Sequence, residues 1–322
     1  MSASISHALL LTAGLGTRLR PLTLVRAKPA VPLAGEPLVS RIIRWLVSHG
    51  VLDLVLNLHY QPESIARVVG DGHQFGARVR YSWEQPAVLG SAGGPRLAEP
   101  IVGADPFFII NGDTLTDVDV SQVARAHLAS DALVTMALVP NTQPDQYGGV
   151  RLDAEGRVTG FARRGADAIG SFHFIGVQVA SAAAFAAVTP GTVANSVGDV
   201  YDRLLTERPG CIRGVVSNAG FWDIGNIKDY WLTSQAFATA GDAAKDVEAR
   251  GTLGRGRDVR VEAGATIRET ILWDRVSIGA GAQLDGCIVT DDVVIPAGAS
   301  YRDAILWMDP VQGLTVAPRL PA

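Results

Sequence analysis

The stretch "TAGLGTRLRPLTLVRAKP" gathers Gly14, Gly16, Arg18 and Lys28, with no acidic residue before Glu36. Each residue type has a use on a phosphate. Glycines let backbone N–H groups approach an anion closely. Arginine can fork two phosphate oxygens. Lysine is a compact point charge, and Lys28 is joined only by Lys228 and Lys245 in a chain that otherwise uses arginine. The set reads as an anion-binding turn, with a basic surface loop as the plainer alternative. Two familiar phosphate loops do not fit. A P-loop requires Lys-Ser or Lys-Thr directly after its glycines, and none follows. A dinucleotide turn requires a third glycine where Leu19 stands, and an acid ending the second strand, where "LDLVLNLHY" offers Asn57, His59 and Tyr60. Hydride transfer is therefore disfavoured.

A turn of this kind needs a strand before it and helices around it. "HALLLTA" (7–13) reads as a buried parallel strand, followed by a helix over 37–50. Strands are expected at 52–58, 77–83 and 105–113, with a short helix at 62–70. This alternation predicts an α/β fold, Rossmann-like, with a mainly parallel sheet flanked by helices. Beyond Leu133 the strand-like runs 132–139, 148–153, 156–162 and 170–180 have few helices between them, which predicts a mixed, partly antiparallel extension. Helices return near 197–208 and 226–240, the second capped by Asn226.

The tail repeats itself. "VEAGATIRETILWDRVS" (261–277), "IGAGAQLDGCIVTDDVV" (278–294) and "IPAGASYRDAILW" (295–307) each open on an aliphatic residue followed by x-A-G-A. Val261, Ile278 and Ile295 fall in register, as do Ile267, Leu284 and Tyr301. This is the pattern of a short parallel β-helix, with an antiparallel module as the alternative. The link 238–254 divides the chain into 1–240 and 241–322. Trp273 and Trp307 either form a subunit interface or close the solenoid's own core.

The bulk numbers exclude several classes. The chain has 322 residues, 48% of them apolar, and a net charge of −4, so no basic field favours nucleic acid or a membrane surface. No apolar run approaches the roughly 18 residues that would span a bilayer. The N-terminus lacks a positive region of the signal-peptide kind. Cys211 and Cys287 have no metal or redox spacing and suit buried thiols in a reducing cytoplasm. No histidine pair stands at i, i+4.

"LTAGLGTRLRPLTLVRAKPAVPLAGEP" resembles the signature of the sugar-1-phosphate nucleotidyltransferases, or NDP-sugar pyrophosphorylases: A-G-x-G-x-R-L-x-P-L-T, then K-P-x-x-P. The resemblance continues in order over roughly residues 7 to 240. "EQPAVLGSAGG" (84–94) resembles the loop that cradles nucleobase and ribose, leading into a helix near 91–99. It implies Gln85 and Gly90 as base contacts. "FFIINGDTL" (107–115) resembles the N-G-D turn, so Asp113 would be a carboxylate ligand of Mg2+. "YGGVRLD" (147–153) implies a sugar contact at Gly148, and "FHFIGVQVA" (172–180) suggests one at His173. "FWDIGNIKDY" (221–230) resembles W-x-D-x-G-T and makes Asp223 the second Mg2+ carboxylate. One departure stands out. The family commonly has Glu-Lys-Pro where this chain reads "FARRGAD" (161–167), leaving Arg163 or Arg164 to meet the sugar phosphate.

The resemblance implies attack by a sugar-1-phosphate oxygen on the α-phosphorus of a nucleoside triphosphate, with pyrophosphate leaving. Ala13, Gly14, Gly16, Thr17 and Arg18 would bind the triphosphate with Gln85, Gly90 and Asp113. Arg18, Lys28, Asp113 and Asp223 would carry catalysis. Gly148, Arg163, Arg164, His173 and Asp223 would hold the sugar phosphate. The "LGSAG" and "LNLHYQPE" stretches resemble mannose-1-phosphate guanylyltransferases most, with a C-terminal left-handed β-helix of hexapeptide type. Thymidylyl- and uridylyltransferases of other sugar-1-phosphates remain open, as does a non-catalytic homologue that binds the nucleotide sugar. A β-helix acyltransferase fits less well, because such enzymes use a histidine base and residues 241–322 contain none. The resemblance points to a cytoplasmic enzyme, a homo-oligomer through its β-helix.

Overall fold

The computed structural model describes residues 4–240 and 251–319. The chain forms two compact units, Met1–Gly14 with Ile42–Phe221, and Leu15–Arg41 with Trp222–Ala322. Most of the link expected at 238–254 lies outside the described residues.

The first unit is built on a nine-stranded sheet. Its strands are β1 (His7–Leu11), β2 (Asp53–Leu58), β3 (Arg78–Trp83), β4 (Phe107–Asn111), β5 (Val134–Pro140), β6 (Gly149–Leu152), β7 (Val158–Ala162), β8 (Phe172–Ala180) and β9 (Ile212–Val216). The order is β7-β6-β8-β4-β1-β2-β3, with β5 also paired to β8 and β9 to β5. β1 runs parallel to β2 and β4, and β2 parallel to β3. β8 runs antiparallel to β4 and β5. The expected mixed, mainly parallel sheet is therefore present. Its central strands read as unbroken apolar runs because both faces are covered. Leu9, Phe107 and Ile109 pack with Met136, Leu138 and Phe185 in one core, each contributing about 1.5–3 kcal/mol when fully buried.

Besides a single turn at Leu22–Val25, the α-helices among the described residues are α1 (Leu38–Ser48), α2 (Pro62–Val69), α3 (Gly90–Val102), α4 (Val120–Leu128), α5 (Tyr201–Glu207) and α6 (Ile227–Ala240). Three differ from the sequence reading. α3 starts at Gly90 and runs past 99. α4 was not foreseen; the Asp119 side chain caps it at Ser121 N–H, and Val120, Val123, Ala124 and His127 form its buried stripe. The helix expected over 197–208 is regular only from Tyr201, because Val197 is extended and Gly198 has φ 95°. β9 also went unread. Asn226 caps α6 as expected, its Oδ1 accepting from Asp229 N–H at 3.0 Å.

The second unit contains the β-helix. Val261 pairs with Ile278 and Ile278 with Ile295. Ile267 pairs with Leu284 and Leu284 with Tyr301. All these pairings are parallel, so the repeat register is as read and the antiparallel alternative fails. One strand departs from the pattern: Gly313–Pro318 folds back antiparallel on Ala304–Asp309 and closes that sheet's edge. Trp273 is wholly buried, so it closes a core.

Candidate active site

In the first unit, Ala13 and Gly14 follow β1, and Asp113 follows the neighbouring β4, whose Asn111 stands opposite Leu11. Both turns leave the carboxyl ends of adjacent parallel strands, where open α/β sheets bind ligands. Asn57 at the end of β2 holds this edge. Its Oδ1 accepts from Thr12 N–H at 2.6 Å and Ala13 N–H at 3.3 Å. Its Nδ2 donates to Glu84 Oε1 at 2.6 Å, while Glu84 Oε2 accepts from Leu89 N–H at 2.7 Å. Asn57 and Glu84 are buried. One polar bridge thus spans from the glycine turn to the "EQPAVLG" loop, where Gln85 is exposed and Gly90 opens α3.

The residues that the resemblance assigns to the sugar phosphate also meet within this unit. The Gly148 backbone hydrogen-bonds His173, and a Cβ at Gly148 would lie 3.0 Å from Ala162 O and 4.0 Å from Arg164 N. The His173 ring lies 4.2 Å from Tyr147 and 4.9 Å from Phe221, centroid to centroid. Burial lowers the His173 pKa to about 4, against the pull of the Gly148 backbone, so the imidazole is neutral near pH 7. It can accept or donate one hydrogen bond but brings no charge to a sugar phosphate. Arg163 and Arg164 are exposed just beyond β7.

In the second unit, residues 15–31 fold back on themselves. Gly16 has φ 60°, and its carbonyl accepts from Thr23 Oγ1 at 2.9 Å. A Cβ at Gly16 would stand 2.8 Å from Thr23 Cγ2 and 3.2 Å from Lys28 Cβ. Only glycine suits a left-handed turn this close to Lys28. Thr17 and Arg18 are exposed while Lys28 is buried. Asp223 comes to the same place: a Cβ on Gly225 would lie 3.2 Å from Asp223 Oδ2, 3.0 Å from Asp229 Oδ2 and 3.7 Å from Arg18 Nη1. Sequence reasoning passed over Asp229, although it stands three residues after the capping Asn226. Burial raises its pKa, opposed by Arg18, Lys228 and Lys28. Two carboxylates therefore sit among the cations of the signature segment. Among the described residues no three His, Cys, Asp or Glu side chains converge as a protein-only metal cage.

Residues 7–240 match the family model described as nucleotidyl transferase, and residues 251–301 match the GlmU-like, C-terminal hexapeptide model. A mannose-1-phosphate guanylyltransferase of Mycobacterium tuberculosis is 29% identical over 292 residues, covering 88% of this chain and 79% of that protein. A UTP–glucose-1-phosphate uridylyltransferase of Synechocystis is 27% identical over 300 residues, covering 88% and 75%. The solved structure of HddC from Yersinia pseudotuberculosis with GMP-PN aligns at a TM-score of 0.61 and 25% identity, covering 70% of this chain and 96% of that one.

Proposed function

The chain belongs to the nucleotidyl transferase family matched by its residues 7–240, and we propose that it transfers a guanylyl group from GTP to mannose-1-phosphate. The coarser activity is that of a sugar-1-phosphate nucleotidyltransferase. The observation that carries it is the folded signature segment, with Arg18 exposed, Lys28 packed beneath Gly16 and the carboxylates of Asp223 and Asp229 close to Arg18. The choice of GTP and mannose-1-phosphate rests on likeness to the guanylyltransferase of Mycobacterium tuberculosis.

The reaction forms a bond from the sugar-phosphate oxygen to the α-phosphorus and breaks the α–β bridge, releasing pyrophosphate. It needs no enzyme nucleophile, only positioning and charge neutralisation. The N–H groups near Ala13, Gly14, Gly16 and Thr17 would hold the triphosphate. Arg18 would fork its oxygens, and Lys28 would hold charge at the reacting phosphates. Gln85 and Gly90 would meet the base. Gly148, His173 and Arg163 or Arg164 would orient the sugar phosphate. Asp113 and Asp223 offer hard oxygen donors of the kind Mg2+ takes when phosphates supply its other ligands. When bound, Mg2+ would neutralise charge on the phosphate oxygens. We also read 1–240 as catalytic and 241–322 as a β-helix domain, which the limits of the two family matches support. A cytoplasmic homo-oligomer completes the proposal.

A second reading is uridylyl transfer to glucose-1-phosphate, favoured by the likeness to the Synechocystis protein. A matrix of the four common nucleoside triphosphates against several sugar-1-phosphates, with and without Mg2+, decides between them. The proposal expects the greatest pyrophosphate release from GTP with mannose-1-phosphate and Mg2+. A preference for UTP with glucose-1-phosphate would replace it with the second reading. Pyrophosphate release from no pair would favour a non-catalytic binder.

A further inference from the structure

Asp274 and Asp291 occupy equivalent places in successive turns of the β-helix, and Asp274 N–H donates to Asp291 Oδ1 at 3.1 Å. Both carboxylates face Arg26, two residues before Lys28. Arg26 Nε and Nη2 donate to the two oxygens of Asp291, each at 2.6 Å. Nη2 also donates to Asp274 Oδ2 at 2.7 Å. Nη1 reaches back to Ala30 O at 3.5 Å, on the far side of Lys28. The guanidinium carbon lies 5.5 Å from the centroid of Trp273. All three charged side chains are about nine-tenths buried.

The signature segment meets the solenoid elsewhere too. Tyr230 Oη donates to Pro32 O at 2.6 Å and accepts from Trp273 Nε1 at 3.1 Å. The backbones also approach closely, since a Cβ at Gly35 would fall 2.4 Å from Arg255 O. The segment bearing Lys28 is thus held against the β-helix on both sides of that lysine.

We propose that Arg26, clamped by Asp274 and Asp291, is a positioning residue for nucleotidyl transfer, so that the β-helix sets the place of Lys28. This rests on the nucleotidyl-transfer reading above. A bidentate arginine fork fixes direction as well as distance, which a flexible lysine does not. Displacement of a catalytic group by about 1 Å can cost on the order of 10²-fold in rate. Asp274 and Asp291 act through Arg26, and Arg26 acts through Lys28.

A double-mutant cycle tests this. Pyrophosphate release at saturating substrate is measured for wild type, Arg26→Lys, Lys28→Ala and the double variant, each normalised to its folded fraction from a melting curve. Arg26→Lys should lower kcat by roughly 10²-fold with KM within about threefold, and by less than about threefold once Lys28 is absent. Equal losses in both backgrounds would overturn the inference, because a merely structural role multiplies through. Should Arg26→Lys fail to fold, Asp291→Asn keeps the arginine and one carboxylate, and the same non-additivity with Lys28→Ala is required, on a loss of about tenfold. An active wild type whose Arg26 and Asp291 variants retain full kcat overturns only this inference. A wild type inactive on every substrate pair removes the nucleotidyl-transfer reading and this inference with it.

Discussion

Glu84→Gln should destabilise the first unit by about 2.5–6 kcal/mol, although it changes one atom's chemistry and no shape. Glu84 accepts twice, from Asn57 Nδ2 and from Leu89 N–H. A glutamine has one acceptor oxygen, so its amide nitrogen must face one of those donors. The loss of a hydrogen bond to a charged acceptor costs about 1.5–3 kcal/mol, and leaving a buried donor unmet about 1–3 more. Asn57→Asp alone should also destabilise strongly, placing a second carboxylate where 2.6 Å now separates donor and acceptor. The pair Asn57→Asp with Glu84→Gln reverses the polarity of the bridge. The introduced aspartate would accept from Thr12 and Ala13 and from the new amide, while the glutamine oxygen accepts from Leu89. The double variant should return to within about 1 kcal/mol of wild type, since no buried donor is then left unmet. Urea unfolding followed by circular dichroism measures all four proteins. A double variant as unstable as the sum of the singles would refute the assignment of these partners.

Lys28→Ala should lower kcat by roughly 10² to 10³ if Lys28 stabilises developing charge; steady-state pyrophosphate release checks it. Gly16→Ala should cost about 1–2 kcal/mol for the left-handed backbone at φ 60° alone. It should cost more through the contact with Thr23, and raise the KM for the triphosphate; melting curves and kinetics read the two effects. His173 is held neutral by burial, so the unfolded chain binds its proton more readily. Its contribution is therefore complete above about pH 6.5 and lost as pH falls through about 4, roughly 3 kcal/mol in all. His173→Phe should flatten the acid limb of stability against pH. An unchanged limb would show that other groups set it.

The unlike legibility of the two units has physical causes. Buried parallel strands such as "HALLL" and "FFIIN" announce themselves as apolar runs, and the solenoid announces itself by repetition. The repeat also gave the register, because its aliphatic residues must stack at fixed spacing. Its glycine corners at Gly264, Gly281 and Gly298 were visible, but Asp258, Arg275 and Asp292 turn equivalent left-handed corners without glycine. Helix α4 was missed because its stripe is short and partly alanine. Of the proposed site residues, motif order is what suggests Gly14, Gly16, Arg18, Lys28, Asp113 and Asp223. Glu84 and Asp229 escaped notice because their roles depend on partners distant in sequence or on packing after a turn. Asn57 was noticed only as the absence of a dinucleotide acid, whereas its side chain holds the backbone at Thr12 and Ala13. Arg26 carries no signal in the sequence, because the carboxylates that fix it, Asp274 and Asp291, stand about 250 residues away along the chain.

Attack on the α-phosphorus is tested most directly by the fate of label from GTP. With mannose-1-phosphate and Mg2+, label at the α-phosphate should pass into a sugar nucleotide and label at the γ-phosphate into pyrophosphate. Label at the γ-phosphate released as inorganic phosphate, with none from the α-phosphate in a sugar nucleotide, would contradict the account.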